Sequence, residues 1–172
     1  MHENQAKGDV FLKVMDQVVA KWGRKGLDTI GRDPGHYKME QWYPFTELCD
    51  ILRDIKEKLG KNSPLTVYNI GFRMIKGDPR WQGIFDDRDP GEIFLSTKRQ
   101  DAQYRAGTQE LRKIGPKHVQ VDLMNWDCDD VWYDFFRGRL QGVLELTGRA
   151  GVVQLIPECR EEGLRTLDIK WG

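Results

Sequence analysis

The chain is poor in the residues that most chemistry requires. Its 172 residues include three His, three Cys and two Ser, and 27 Lys+Arg are balanced by 27 Asp+Glu for a formal net charge of zero. That balance removes the bulk attraction that would hold a nucleic acid or an anionic membrane. No apolar run approaches the roughly 20 residues of a bilayer span. The polar stretch from Met1 to Asp9 lacks the apolar segment of a signal peptide. These absences lead us to expect a soluble, cytoplasmic protein with no nucleic-acid partner and no membrane span.

Cys49, Cys128 and Cys159 are an odd set, 79 and 31 residues apart, with no CxxC pair. This is neither a disulfide framework nor a zinc pattern, so free thiols in a reducing compartment are expected. Cys49 falls on the apolar face of a helical segment and reads as a core thiol. Cys128 stands among Asp127, Asp129 and Asp130, which would raise its pKa and blunt it as a nucleophile. Cys159 is flanked by Glu158 and the Arg160-Glu161-Glu162 run of a solvated turn.

His2, His36 and His118 form no HxxxH or HxH spacing, and neither Ser63 nor Ser96 lies in a GxSxG elbow. The acidic runs Asp86-Asp87-Arg88-Asp89 and Asp127-Cys128-Asp129-Asp130 lack the ligand alternation of a calcium loop. The first reads as a solvated loop, the second as a helix N-terminus favoured by its dipole. The segment from Gly77 to Gly83 lacks the lysine of a phosphate-binding loop. No catalytic residue and no metal site is therefore expected, and the chain does not read as an enzyme.

What the chain does have is periodicity. Phe11, Val14, Met15, Val18, Val19 and Trp22 recur at helical spacing between Asp9 and Trp22, ended by Gly23 and Gly26. Asp33-Pro34-Gly35 marks a turn. A second helix is expected from Pro44 to Leu59, with Phe45, Leu48, Cys49, Leu52, Ile55 and Leu59 on one side. A third is expected from Leu65 to Ile75, with Gly71 as a point of close approach. Gly77 to Gly91 reads as a loop with one short helical turn, and a further helix is expected from Pro90 to Tyr104. In the second half, Gly107–Ile114 and His118–Trp126 read as a strand pair around Gly115-Pro116, and Val119, Val121 and Leu123 alternate with polar neighbours. Asp129–Thr147 is the clearest helix, capped by Asp129 or Asp130 and ended by Gly148. Val152–Ile156 and Leu164–Trp171 are two more strands. The expectation is one α+β domain over residues 1–172, with a helical half (about 9–104) packed on an αβ half (about 107–172). The latter carries a roughly four-stranded antiparallel sheet and its intervening helix.

Six Trp, seven Phe and five Tyr are many for this length, and Trp126, Trp132, Tyr133, Phe135 and Phe136 crowd together. Gly138 and Gly142, one turn apart, would let a neighbouring element or a flat ligand come close. An aromatic core and a ring-lined pocket between helix and sheet are both open at this point.

The order of several short motifs resembles a known superfamily. They are Gln103-Tyr104-Arg105-Ala106-Gly107, the helix from Phe135 through Gly138-Arg139-Leu140-Gln141-Gly142 to Gly148, Cys159 to Gly163, and the ending Ile169-Lys170-Trp171. The chain is similar to the heme-nitric-oxide-binding domains, the 4-vinyl-reductase-type small-molecule-binding domains, a myxobacterial paralogous family of unknown function and the Golgi transport-tethering subunits. Lys7-Gly8 and Trp42-Tyr43-Pro44 bring it nearest the myxobacterial group. The resemblance implies a sensory or regulatory domain that holds a hydrophobic small molecule between its helices and its sheet. In this chain the lining would come from Trp126, Trp132, Phe135 and Phe136, with Tyr104 and Cys49. It also implies a signalling protein partner. The cofactor stays unknown: heme-binding relatives carry a Tyr-x-Ser-x-Arg motif and a helical histidine, whereas Tyr104-Arg105 lacks the serine and leaves only His118 and His36 as heme-ligand candidates. A heme-based sensor of a diatomic gas is one alternative. The other is a structural interaction module that forms a homodimer through exposed aromatics.

Overall fold

The structure is a computed structural model and describes residues 4–96, 103–157 and 163–172. Strand β1 (Gln5–Lys7) runs directly into α1 (Gly8–Trp22), whose Val10, Phe11, Val14, Met15 and Val18 are buried. Gly23 ends α1 and a short α2 (Arg24–Ile30) follows. Gly26, expected as a terminator, lies inside α2 instead; a Cβ there would stand 2.9 Å from Val18 Cγ1, so the missing side chain lets α2 fold back on α1. In the turn at Pro34–His36, Asp33 accepts the Gly35 N–H at 2.8 Å.

Strand β2 (Trp42–Pro44) leads into α3 (Phe45–Asp54), whose last turn widens over Ile55–Leu59. Helix α4 (Pro64–Lys76) follows, then a single turn at Pro79–Trp81 and α5 (Pro90–Ser96). The helix expected to reach Tyr104 does not: residues 97–102 lie outside the described part, and Tyr104 belongs to β3 (Tyr104–Arg105). Strands β2, β1 and β3 form a small antiparallel sheet in that order. Sequence patterning does not find it, because strands of two or three residues are too short to show a period. Its register sets Lys7 opposite Trp42 and Ala6 opposite both Tyr43 and Tyr104. The fragments Lys7-Gly8 and Trp42-Tyr43-Pro44 are thus partners in one sheet.

The second half follows expectation closely. β4 (Thr108–Gly115), β5 (His118–Met124), β6 (Gly151–Ile156) and β7 (Leu164–Trp171) form an antiparallel sheet in the order β4-β5-β7-β6, and α6 (Asp130–Leu146) connects β5 to β6. The expected strand to Trp126 stops at Met124, because Asn125 takes a left-handed conformation (φ 57°). Val119, Val121, Leu123, Val153, Leu167 and Ile169 are buried on one face of the sheet. Buried Gln141 joins α6 to β6 with both ends of its amide: it donates to the Gly151 carbonyl at 3.1 Å and accepts from the Val153 N–H at 2.9 Å.

The two halves meet where α4 crosses α6, and glycine sets the distance. A Cβ at Gly71 would lie 2.1 Å from the Phe135 carbonyl oxygen, and one at Gly138 would lie 2.0 Å from the Tyr68 carbonyl oxygen. At Gly142 it would reach 2.9 Å from Ile75 Cβ. The element that these glycines admit is α4 and not a flat ligand.

The other face of the sheet is polar. Asp122 accepts from the Thr166 hydroxyl at 2.5 Å and from Arg112 at 2.7 Å. Asp168 is bonded to His118 Nε2 at 2.5 Å, Gln120 at 3.0 Å and Lys170 at 2.8 Å. Burial alone would raise the Asp168 pKa, but these donors outweigh it and bring the pKa from 3.8 to about 2.

Two expected outcomes follow from the crossing and from the polar face. Backbone cannot yield as a flexible side chain does, so Gly138→Ala is expected to cost at least about 3 kcal/mol, the upper range of overpacking in a tight core. Urea denaturation measures it, and a midpoint equal to that of the parent would show that the helices can separate freely. At Asp168, a carboxyl whose folded pKa is depressed contributes stability that is present above its unfolded value and lost as pH falls towards the folded one. Stability is therefore expected to decline between pH 3.8 and about 2. Acid titration followed by circular dichroism should show a shallower decline in Asp168→Asn.

Candidate functional site

The rings named from the sequence come together. On α6 the spacing of Trp132, Phe135 and Phe136 puts all three on one buried face. Trp126 is supplied by the connection between β5 and α6, Tyr104 by β3, and Phe45 by the first residue of α3. Trp132 is fully buried at the centre. It stacks on Trp126 with centroids 5.0 Å apart and planes at 21°. Phe45 and Tyr104 meet it edge-on at 4.9 and 5.1 Å, and Phe135 and Phe136 lie at 5.6 Å. Phe45 is not among the residues expected to line a pocket. Its helical spacing marks it as apolar, but only the small sheet, which Pro44 ends, turns it towards Trp132.

Polar atoms at this centre are handled unequally. The Trp126 indole donates to the Thr108 carbonyl at 3.1 Å. The Tyr104 hydroxyl accepts from Arg139, which also donates to Gln103 at 2.8 Å. Burial pushes the Tyr104 phenol upward, against the lowering effect of Arg139, so it stays neutral and able to donate. The Trp132 indole N–H is buried and has no acceptor among the described residues. Such an orphaned donor costs about 1–3 kcal/mol relative to a paired one.

Cys49 does not contribute a free thiol. Its sulfur is bonded to that of Cys128 in a disulfide, with Cα atoms 6.1 Å apart. The expectation of unpaired thiols is corrected for these two residues. A separation of 79 residues hides the pairing in sequence, and the acidic neighbours of Cys128 belong to the helix N-cap beside it: Asp129 accepts the Val131 N–H at 3.1 Å. Closing a loop of that length stabilises a fold by about 4–5 kcal/mol in the chain-entropy account. Cys159 lies outside the described residues, as does His2.

The two heme-ligand candidates lie away from the rings. His118 is on the polar sheet face, held by Asp168. His36 is exposed in its turn, with Tyr37 5.0 Å away and edge-on. Among the described residues no cluster of three His, Cys, Asp or Glu could hold a metal ion, and no helix is long and apolar enough to cross a membrane. Every described Phe, Trp and Tyr is buried or half-buried.

Gly107 controls the approach of Trp126. It has φ 55°, and a Cβ there would stand 2.5 Å from Trp126 Cδ1. This is the physical content of the Tyr104–Gly107 motif: tyrosine in the ring cluster, then a glycine that leaves room for the tryptophan.

No family model and no curated protein matches the sequence. Solved structures do. The Fe(II) unliganded H-NOX protein from K. algicida matches with a TM-score of 0.69 and 16% identity over 96% of each chain. A mutant of the T. tengcongensis H-NOX matches with a TM-score of 0.63 and 16% identity over 95% of this chain and 97% of that one. A structure from a study of heme distortion in the H-NOX family gives 0.66 and 16% over 96% and 94%. The chain therefore has the H-NOX fold, as its motif order implied. At this identity the likeness defines architecture, and the chemistry must be argued from the chain's own residues.

The ring cluster has its own test at Gly107. Gly107→Ala is expected to cost about 2 kcal/mol or more through backbone strain and the clash together. It should also shift tryptophan emission to the red as Trp126 moves towards water. Unchanged emission and stability would show that the ring does not depend on this glycine.

Proposed function

We propose that this chain is a non-enzymatic sensory or regulatory domain that holds a hydrophobic small molecule between its helical half and its sheet, at Trp126, Trp132, Phe135, Phe136 and Tyr104. The observation that carries this reading is the unpaired indole N–H of Trp132, buried in the middle of the ring cluster. Arg32, Arg137 and Arg165 also bury an unpaired Nε, but each pairs another nitrogen of its guanidinium, whereas the indole has a single donor, and an unsatisfied group of this kind calls for an explanation. A ligand with an apolar body and one hydrogen-bond acceptor would satisfy it. Because the rings now touch one another, entry requires them to part, and that displacement is the signal passed to a protein partner. We further propose that the domain works in the cytoplasm and is related to the myxobacterial paralogous group, a reading supported by its Lys7-Gly8 and Trp42-Tyr43-Pro44 motifs.

The second reading, a heme-based gas sensor, is supported by the H-NOX likeness. The residues present do not fit it. Neither His118 nor His36 borders the ring cluster, and that interior is filled by the chain's own rings.

Thermal shift and native mass spectrometry, run with tetrapyrroles, acyl chains and apolar carbonyl compounds, test both readings. A retained or stabilising apolar compound whose effect is lost in Trp132→Phe is the expected result. Failure to retain or gain any compound overturns the ligand reading. Hemin is expected to give no Soret band that depends on histidine. A band abolished by His118→Ala or His36→Ala would instead establish the heme reading.

A further inference from the structure

We propose that the Cys49–Cys128 bridge is a redox-responsive site, opened by a dithiol reductant, whose opening releases the N-terminus of α6 and Trp126 from α3. The inference rests on the sensory, cytoplasmic reading above, because a disulfide in a reducing compartment is more often transient and redox-sensing than structural.

The geometry supplies both an entry point and an output. Cys49 is buried on α3 at 2% exposure, whereas Cys128 is half-buried, so Cys128 is the more accessible half of the bridge and the one at which an incoming thiolate would attack. Attack there forms a mixed disulfide on Cys128 and expels Cys49 as a thiolate, which takes up a proton. The second thiol of the reductant, as its thiolate, then attacks its own sulfur in the mixed disulfide and expels the Cys128 thiolate, which is protonated in turn. The reductant leaves as an intramolecular disulfide, having supplied two electrons and two protons.

The freed Cys128 thiol finds an acceptor already in place, because its sulfur lies 3.8 Å from Asp129 Oδ1. That oxygen is also the cap of α6, accepting the Val131 N–H at 3.1 Å, while the other oxygen of Asp129 accepts from Arg53 of α3 at 3.0 Å. Reduction therefore does two things at once. It removes the covalent tie between α3 and the connection from β5 to α6, and it sets a new donor against the helix cap. The same connection carries Trp126, two residues before Cys128 and stacked on Trp132. A change in redox state thus reaches the ring cluster without any ligand.

The test compares the folded full chain before and after millimolar dithiothreitol. The thiols are then counted by alkylation in denaturant, which exposes the buried Cys49: of the three cysteines, one is expected to react without prior reduction and all three after it. Amide exchange across residues 125–131 should then rise by about tenfold or more while α4 and β7 keep their protection, and tryptophan emission should change. Cys128→Ala, which removes the tie but supplies no thiol donor, should show raised exchange over the same residues without reductant; if it fails to fold, the reduced parent protein supplies the measurement. Three alkylated thiols in the unreduced protein overturn the proposal. So does a bridge that resists the reductant, or an increase in exchange spread evenly over α4 and β7, as a plain structural staple would give. The ligand assay, run in both redox states, is a separate readout: loss of ligand binding in both states removes the ligand reading and leaves the redox result standing.

Discussion

The contact on which the rest depends is backbone against backbone at the crossing of α4 and α6. Gly71, Gly138 and Gly142 bring carbonyl groups to within reach of the opposite helix, closer than any pair of side chains would permit. Helix α4 belongs to the helical half and α6 to the half that carries the sheet, so this crossing is the closest backbone joint between them. The ring cluster follows from it. Phe135 and Phe136 share a helix with Gly138 and Gly142, so the crossing places these rings relative to α4.

Much of this architecture is legible in the sequence, and the exceptions have physical causes. Long amphipathic segments such as Gly8–Trp22 and Asp130–Leu146 announce themselves, because many residues repeat the same period. The alternation in β5 and the Gly115-Pro116 turn mark the sheet equally well. The three-stranded sheet of β1, β2 and β3 is invisible because none of its strands is long enough to alternate. Tyr104 therefore reads as the end of a helix when only its neighbours in the chain are considered. The fragments around Lys7 and Trp42 stand out as motifs, but nothing in the linear order says that they face one another.

The site is legible in composition and less so in connection. The crowding of Trp126, Trp132, Phe135 and Phe136 marks a region whose rings do pack together, and the structure joins Phe45 to them. Cys49 reads as a neighbour of the rings for its apolar position, whereas its partner is a cysteine that local acidity marks as inert. Linear context describes the surroundings of Cys128 correctly but has no access to what stands opposite it. The histidines show the converse: their scattered spacing argues against a shared site, and His118 and His36 lie on different parts of the fold, each engaged locally.

The polar face of the four-stranded sheet has a consequence for assembly. Asp122 and Asp168 are nearly enclosed there by Arg112, Thr166, His118, Gln120 and Lys170. A second apolar layer laid over this face would strip water from Arg112 and Lys170 and leave two carboxylates in a medium of low dielectric constant, a cost that packing seldom recovers. The charged network therefore acts as a barrier to further stacking and holds the sheet to a single buried side.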